Sequence, residues 1–72
     1  MSRVRIGVVG VGHMGQYHAN ILKALDGVDF VGIHEASQAR ADEISNRFGV
    51  KAFDSLDKLF SRVDAVCVAV PT

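Results

Sequence analysis

The sequence predicts an α/β fold, a doubly wound parallel sheet with helices on both faces. Two short valine-rich runs, Val4 to Val9 and Asp64 to Val70, read as strands buried on both sides. Stretches with apolar residues at helical spacing lie between such runs, and the two periods alternate along the chain. Three glycines, at Gly10, Gly12 and Gly15, mark the first passage from strand to helix.

The first strand is "VRIGVV", Val4 to Val9. After it, Met14, His18, Ile21, Leu22 and Leu25 recur at helical spacing, with Gln16, Asn20 and Lys23 opposite, so an amphipathic helix is expected with Met14 in the core. "FVGIH", Phe30 to His34, is a weaker second strand. Ser37 then caps a second helix whose buried stripe is Ala41, Ile44 and Phe48, and Gly49 supplies its left-handed end. "VKAF" reads as a very short strand. Asp54 or Ser55 caps a third helix with Leu56, Leu59 and Phe60 on one side, and the strand from Asp64 follows.

Right-handed crossovers then set the strands side by side as third, second, first, fourth, the order 3-2-1-4. The chain reverses direction between the first and fourth strands, and the crevice there is where a ligand should bind. The loop after Val9 and the residues Pro71 and Thr72 flank it.

At 72 residues the chain is one domain at most, near the lower limit for folding without disulfides or metals. It is too short for a dinucleotide domain plus a substrate domain, so residues 1–72 are expected to be the N-terminal part of a longer two-domain protein. Eight basic and eight acidic residues give a net charge of zero, which removes any bulk pull toward nucleic acid or anionic membrane. No segment is long enough to span a bilayer, and the N-terminus lacks the features of a signal peptide. The single cysteine, Cys67, sits in the apolar run "DAVCVAV" as a small hydrophobe, which suits a reducing cytoplasm.

A glycine triplet alone is a weak signal, but here it follows a buried strand, opens a helix and precedes Glu35 by twenty residues from Gly15. Each part has its own task. Gly10 permits the tight turn, Gly12 removes a side chain that would block a pyrophosphate, and Gly15 lets the helix pack close to the sheet. Backbone N–H groups at the helix start, those of His13 and Met14 among them, then face the phosphates. Glu35 at the end of the second strand would accept both adenosine ribose hydroxyls and repel a 2′-phosphate. This Rossmann-type arrangement favours NAD, with NADP as the alternative because Ser37 and Arg40 follow closely. The cofactor-binding candidates are therefore Gly10, Gly12, His13, Met14, Gly15, Glu35, Ser37, Arg40, Pro71 and Thr72. Pro71 and Thr72 either contact the cofactor or merely end a strand.

No metal site is expected, since His13, His18 and His34 lack zinc spacing and one cysteine cannot complete a ligand set. His18, on the apolar stripe, reads as a satisfied core histidine. Cys67 has no reason to ionise in an apolar strand.

With those residues in place, "IGVVGVGHMGQYHANIL" resembles the start of the Gfo/Idh/MocA family of oxidoreductases, and the resemblance runs the length of the chain. His18 stands three residues after the third glycine, where that family commonly has a histidine. "VDFVGIHEAS" matches its strand ending in an acid, with Glu35 in place of the more usual aspartate, and "RFGVKAFDSLDKLF" and "VDAVCVAVPT" follow in order. The resemblance implies hydride transfer between NAD(P) and a secondary alcohol of a sugar, inositol or nucleotide-sugar, in a full-length protein expected to be a homo-oligomer. The family's Glu-Lys-Pro motif and later catalytic residues have no counterpart in residues 1–72, so no residue here is assigned as catalytic. A different class of protein, a non-catalytic NAD(H)-sensing module, would carry the same loop and acid.

Overall fold

The computed structural model describes residues 3–69, apart from the side chain of His13. Its elements run β1 (Val4–Val9), α1 (His13–Ala24), β2 (Val28–His34), α2 (Gln38–Phe48), β3 (Lys51–Ala52), α3 (Leu56–Phe60) and β4 (Ala65–Val68). The strands form one parallel sheet in the order β3-β2-β1-β4, the expected arrangement. Val70, Pro71 and Thr72 lie outside the described residues, and β2 begins two residues earlier than its sequence pattern suggests.

Helices cover both faces. Val8 and Ile33 point into a cluster with Ala19, Leu22, Ala41 and Ile44, so α1 and α2 share one face. Neighbouring Gly7 and Gly32, paired in register, look the other way. A Cβ on Gly7 would lie 2.7 Å from Leu59 Cδ1, and one on Gly32 would lie 2.5 Å from both Lys51 O and Phe53 Cε2. These glycines thus form a floor on which Leu59 and Phe53 press directly, which places α3 opposite α1 and α2. The register slips between Ile6 and Gly7, where β2 carries one extra residue, and this slip brings the two glycines abreast.

The second helix follows its sequence signals closely. Ser37 caps it by accepting the Arg40 N–H, Ala41, Ile44 and Phe48 are buried, and Gly49 ends it with φ 67°. Of the two candidate caps for α3, Ser55 serves, accepting the Lys58 N–H.

Two helical faces depart from expectation. Met14 is 58% exposed, and Ile21 and Leu25 are exposed with it, so Met14 is not a core residue. The face of α1 that meets the sheet is Gly15, Ala19 and Leu22. Small residues win at its first turns, where a Cβ at Gly15 would already clash with the Gly10 carbonyl. In α3 only Leu59 is buried, while Leu56 and Phe60 stay exposed. A helix of five residues turns only one side chain squarely onto the sheet. His18 is half-buried with its ring edge-on to Tyr17, 6.1 Å between centroids, rather than enclosed in the core. Cys67 is partly buried against the α1 face.

Among the described residues β4 pairs with β1 alone, so its other edge is open. No helix of the described residues is long and apolar enough to cross a membrane.

Candidate cofactor-binding site

The carboxyl ends of β1, β2 and β4 converge because the ladder continues past the strands. Gly10 N–H donates to His34 O and Ala69 N–H donates to Val9 O, both at 2.8 Å. Gly10 holds φ 84°, the left-handed conformation that turns the chain out of β1 and that glycine adopts without a Cβ penalty. A cavity of ≈ 360 Å³ opens at this point, bounded by Gly10, Gly12, Glu35, Arg40 and Ala69. The crevice expected at the reversal of strand order is therefore present, flanked by β1 and β4.

The three glycines separate by what demands them. Backbone geometry demands Gly10. Packing demands Gly15, where a Cβ would drive into the carbonyl oxygen of Gly10 and stand 2.8 Å from its carbon. Gly12 is different. Its φ of −70° and ψ of −157° are extended, and a Cβ there would meet only Arg40 Nη1, at 3.8 Å. The fold has room for a side chain at Gly12 and does without one, which is what a ligand resting on bare backbone requires.

Gly12 is also the N-cap of α1, and it offers no capping side chain. The first turn carries no acidic residue. N–H groups at this helix start are therefore left for an external acceptor, in the positive end of the helix field. Gln16 braces the turn from behind, donating from Nε2 to Val11 O at 3.1 Å and accepting Arg47 Nη1 at 3.1 Å. Sequence reasoning overlooked that brace, although a glutamine opening a helix after a glycine turn is a visible signal.

Glu35 stands immediately after β2, and its carboxylate is held by two backbone donors. Its Oε1 accepts the Val11 N–H at 2.9 Å and its Oε2 accepts the Ser37 N–H at 2.8 Å. The carboxylate thus clasps the glycine loop to the start of α2. The Ser37 N–H foremost, then the Val11 N–H and the Arg40 charge, hold the carboxyl below its ordinary value, against the opposing effect of partial burial. Each oxygen has a second lone pair beyond the one its N–H partner uses, so the acid is fixed in place and still able to accept hydroxyls. Alignment by two backbone donors makes it a preorganised acceptor.

The remaining candidates divide. Ser37 is spent as the α2 cap. Arg40 lines the cavity. The side chain of Met14 is exposed, and that of His13, with Pro71 and Thr72, lies outside the described residues. His34 also lines the cavity, and its Nδ1 donates to Phe53 O at 3.0 Å, a direction fixed because a carbonyl can only accept. Among the described residues no group of three His, Cys, Asp or Glu side chains is placed to hold a metal ion.

A larger concavity of ≈ 410 Å³ lies by β3, lined by Lys51, Asp54, Lys58 and Arg62. Its cations are largely engaged, Lys58 by Asp54 at 3.0 Å and Lys51 over the Phe53 ring at 5.3 Å. The cavity at the strand ends is the one with bare backbone and an oriented acid.

The sequence model of an oxidoreductase family with an NAD-binding Rossmann fold matches residues 4–72. The chain belongs to the Gfo/Idh/MocA family. Among the family's members, the UDP-N-acetylglucosamine 3-dehydrogenase of Acidithiobacillus ferrooxidans is 38% identical over 72 residues, which are 100% of this chain and 22% of that enzyme. Its solved structure superposes with a TM-score of 0.91, covering 100% of this chain and 23% of the other. The glucose-6-phosphate 3-dehydrogenase of Bacillus subtilis is 30% identical over 67 residues, 93% of this chain and 19% of the enzyme. The structure of GenD2 from gentamicin A biosynthesis, in complex with NAD, superposes with a TM-score of 0.91 at 31% identity, covering 100% of this chain and 21% of that one. The chain thus spans about a fifth of the length of these Gfo/Idh/MocA relatives.

Proposed function

We propose that this chain holds the adenosine diphosphate half of NAD for a Gfo/Idh/MocA dehydrogenase. Gly10, Gly12 and Gly15 shape the loop, the backbone N–H groups of Gly12, His13 and Met14 meet the pyrophosphate, and Glu35 accepts the adenosine ribose hydroxyls. Ser37 sets the position of the β2–α2 turn, and Arg40 covers it. Pro71 and Thr72, following β4, are assigned to the nicotinamide side. The observation that carries this reading is Gly12, a glycine with space for a side chain and no conformational need to lack one.

NAD supplies the hydride chemistry when bound. The residues of this chain contribute binding and orientation. The proposed reaction of the full-length protein is hydride transfer between the nicotinamide and a secondary alcohol of a sugar, inositol or nucleotide-sugar. The relatives' dehydrogenase names support this class, and catalytic groups and most substrate contacts are assigned outside residues 1–72. Family resemblance supports a C-terminal substrate domain and homo-oligomeric assembly. The lone cysteine is consistent with a cytoplasmic setting.

Titrating NAD and NADP against the full-length protein tests the reading. Saturable binding of both with NAD the tighter is expected, because the Glu35 carboxylate would repel a 2′-phosphate. Absence of saturable binding by either would overturn it.

A further inference from the structure

Arg40 lies in the first turn of α2, where a cation faces the positive end of the helix and no acid stands beside it in that turn. This is an unfavourable place for arginine if α2 alone is considered. Its backbone N–H donates to the Ser37 cap at 3.4 Å. Helical side chains lean toward the N-terminus, which carries the guanidinium back over the glycine loop. There its Nη1 lies 3.8 Å from the point that a Cβ on Gly12 would occupy.

Among the described residues the exposed guanidinium makes no ion pair, and the nearby Glu35 carboxylate bonds the Val11 and Ser37 N–H groups instead. A fork of unspent donors therefore stands over bare backbone. A phosphate resting on Gly12 would fill the space of the absent side chain and come within reach of Nη1. A 2′-phosphate, by contrast, would sit at Glu35, where the carboxylate opposes it.

On the cofactor site proposed above, we propose that Arg40 closes over the pyrophosphate of the dinucleotide, gripping the phosphate nearest the adenosine. It is then a binding residue shared by NAD, NADP and ADP, and does not select for the 2′-phosphate.

The test uses the full-length protein and its R40Q and R40K variants, titrated with adenosine, AMP, ADP, NAD and NADP. Loss of a charge-assisted phosphate contact should weaken AMP, ADP, NAD and NADP by about tenfold in R40Q. Adenosine should bind R40Q as it binds wild type. R40K should recover much of the loss, and both variants should melt with wild type because the side chain is exposed. A loss confined to NADP would assign Arg40 to the 2′-phosphate and overturn the proposal. Equal affinities of wild type and R40Q for AMP and ADP would make it a surface residue, again overturning it. Failure of wild type to bind any of the adenine nucleotides would remove the site reading itself, and this inference with it.

Discussion

Gly15→Ala is expected to destroy the glycine loop, with loss of both stability and adenine nucleotide binding. The new methyl would overlap the Gly10 carbonyl oxygen and lie 2.8 Å from its carbon. Neither atom can step aside. Gly10 is held by its own N–H bond to His34 O at 2.8 Å and by its left-handed φ of 84°. The clash can be relieved only if α1 retreats from the sheet, uncovering Ala19 and Leu22 where they pack on Val8. Overpacking commonly costs 1–3 kcal/mol, and a clash against two backbone atoms should reach at least about 3 kcal/mol. Chemical denaturation of the full-length variant measures it, and an unchanged midpoint would show that the loop has slack which the geometry denies.

Glu35→Gln should be the next most damaging change to function, and its effect on stability should depend on pH. The amide keeps one acceptor oxygen, so it can hold the Val11 N–H or the Ser37 N–H but offers neither the charge nor the second acceptor. Removing a hydrogen bond to a charged group costs about 1.5–3 kcal/mol, so NAD affinity should fall about 10- to 100-fold. NADP should suffer less, because the same charge opposes the 2′-phosphate, and preference for NAD should shrink. For stability the sign follows from the lowered carboxyl value in the folded state. The contribution is fully present above the ordinary glutamate value of 4.5 and is lost as pH falls through the lower folded value. Wild type should therefore lose more stability than Glu35→Gln on acidification below that point. Parallel acid denaturation curves would contradict the clasp.

Local signals in the sequence were enough for α2. Ser37, the Ala41-Ile44-Phe48 stripe and Gly49 each act within one turn of the chain, and nothing distant competes with them. Strand order was legible for a related reason, since right-handed crossovers leave few arrangements for alternating strands and helices. The first helix misled because its largest apolar side chains are not the ones that touch the sheet. Close approach selects Gly15 and Ala19, four residues apart, and pushes Met14 and Ile21 outward. That small-residue spacing was the signal to weigh. Gly7 and Gly32 illustrate the same point in strands, where glycine marks the place at which Leu59 and Phe53 press on the backbone.

The site was legible in its residue types and less so in its wiring. Glu35 was marked as a ribose-acceptor candidate by its distance along the chain, but its bonds to Val11 and Ser37 depend on how two loops meet in space. No spacing rule encodes that meeting. Gly12 already had a task of its own in the sequence pattern, and the geometry adds that it is the glycine the fold does not need.

That distinction sets the most direct measurement, made on Gly12→Ser in the full-length protein by following thermal stability and NAD affinity together. Serine is a good N-cap and would satisfy an N–H of α1 that Gly12 leaves open, so the melting temperature should hold or rise. The same side chain would stand where the pyrophosphate rests and consume one of its donors, so NAD affinity should drop about 100-fold. A stable variant that binds NAD as tightly as wild type would contradict the account, because the bare backbone at Gly12 would then serve no ligand.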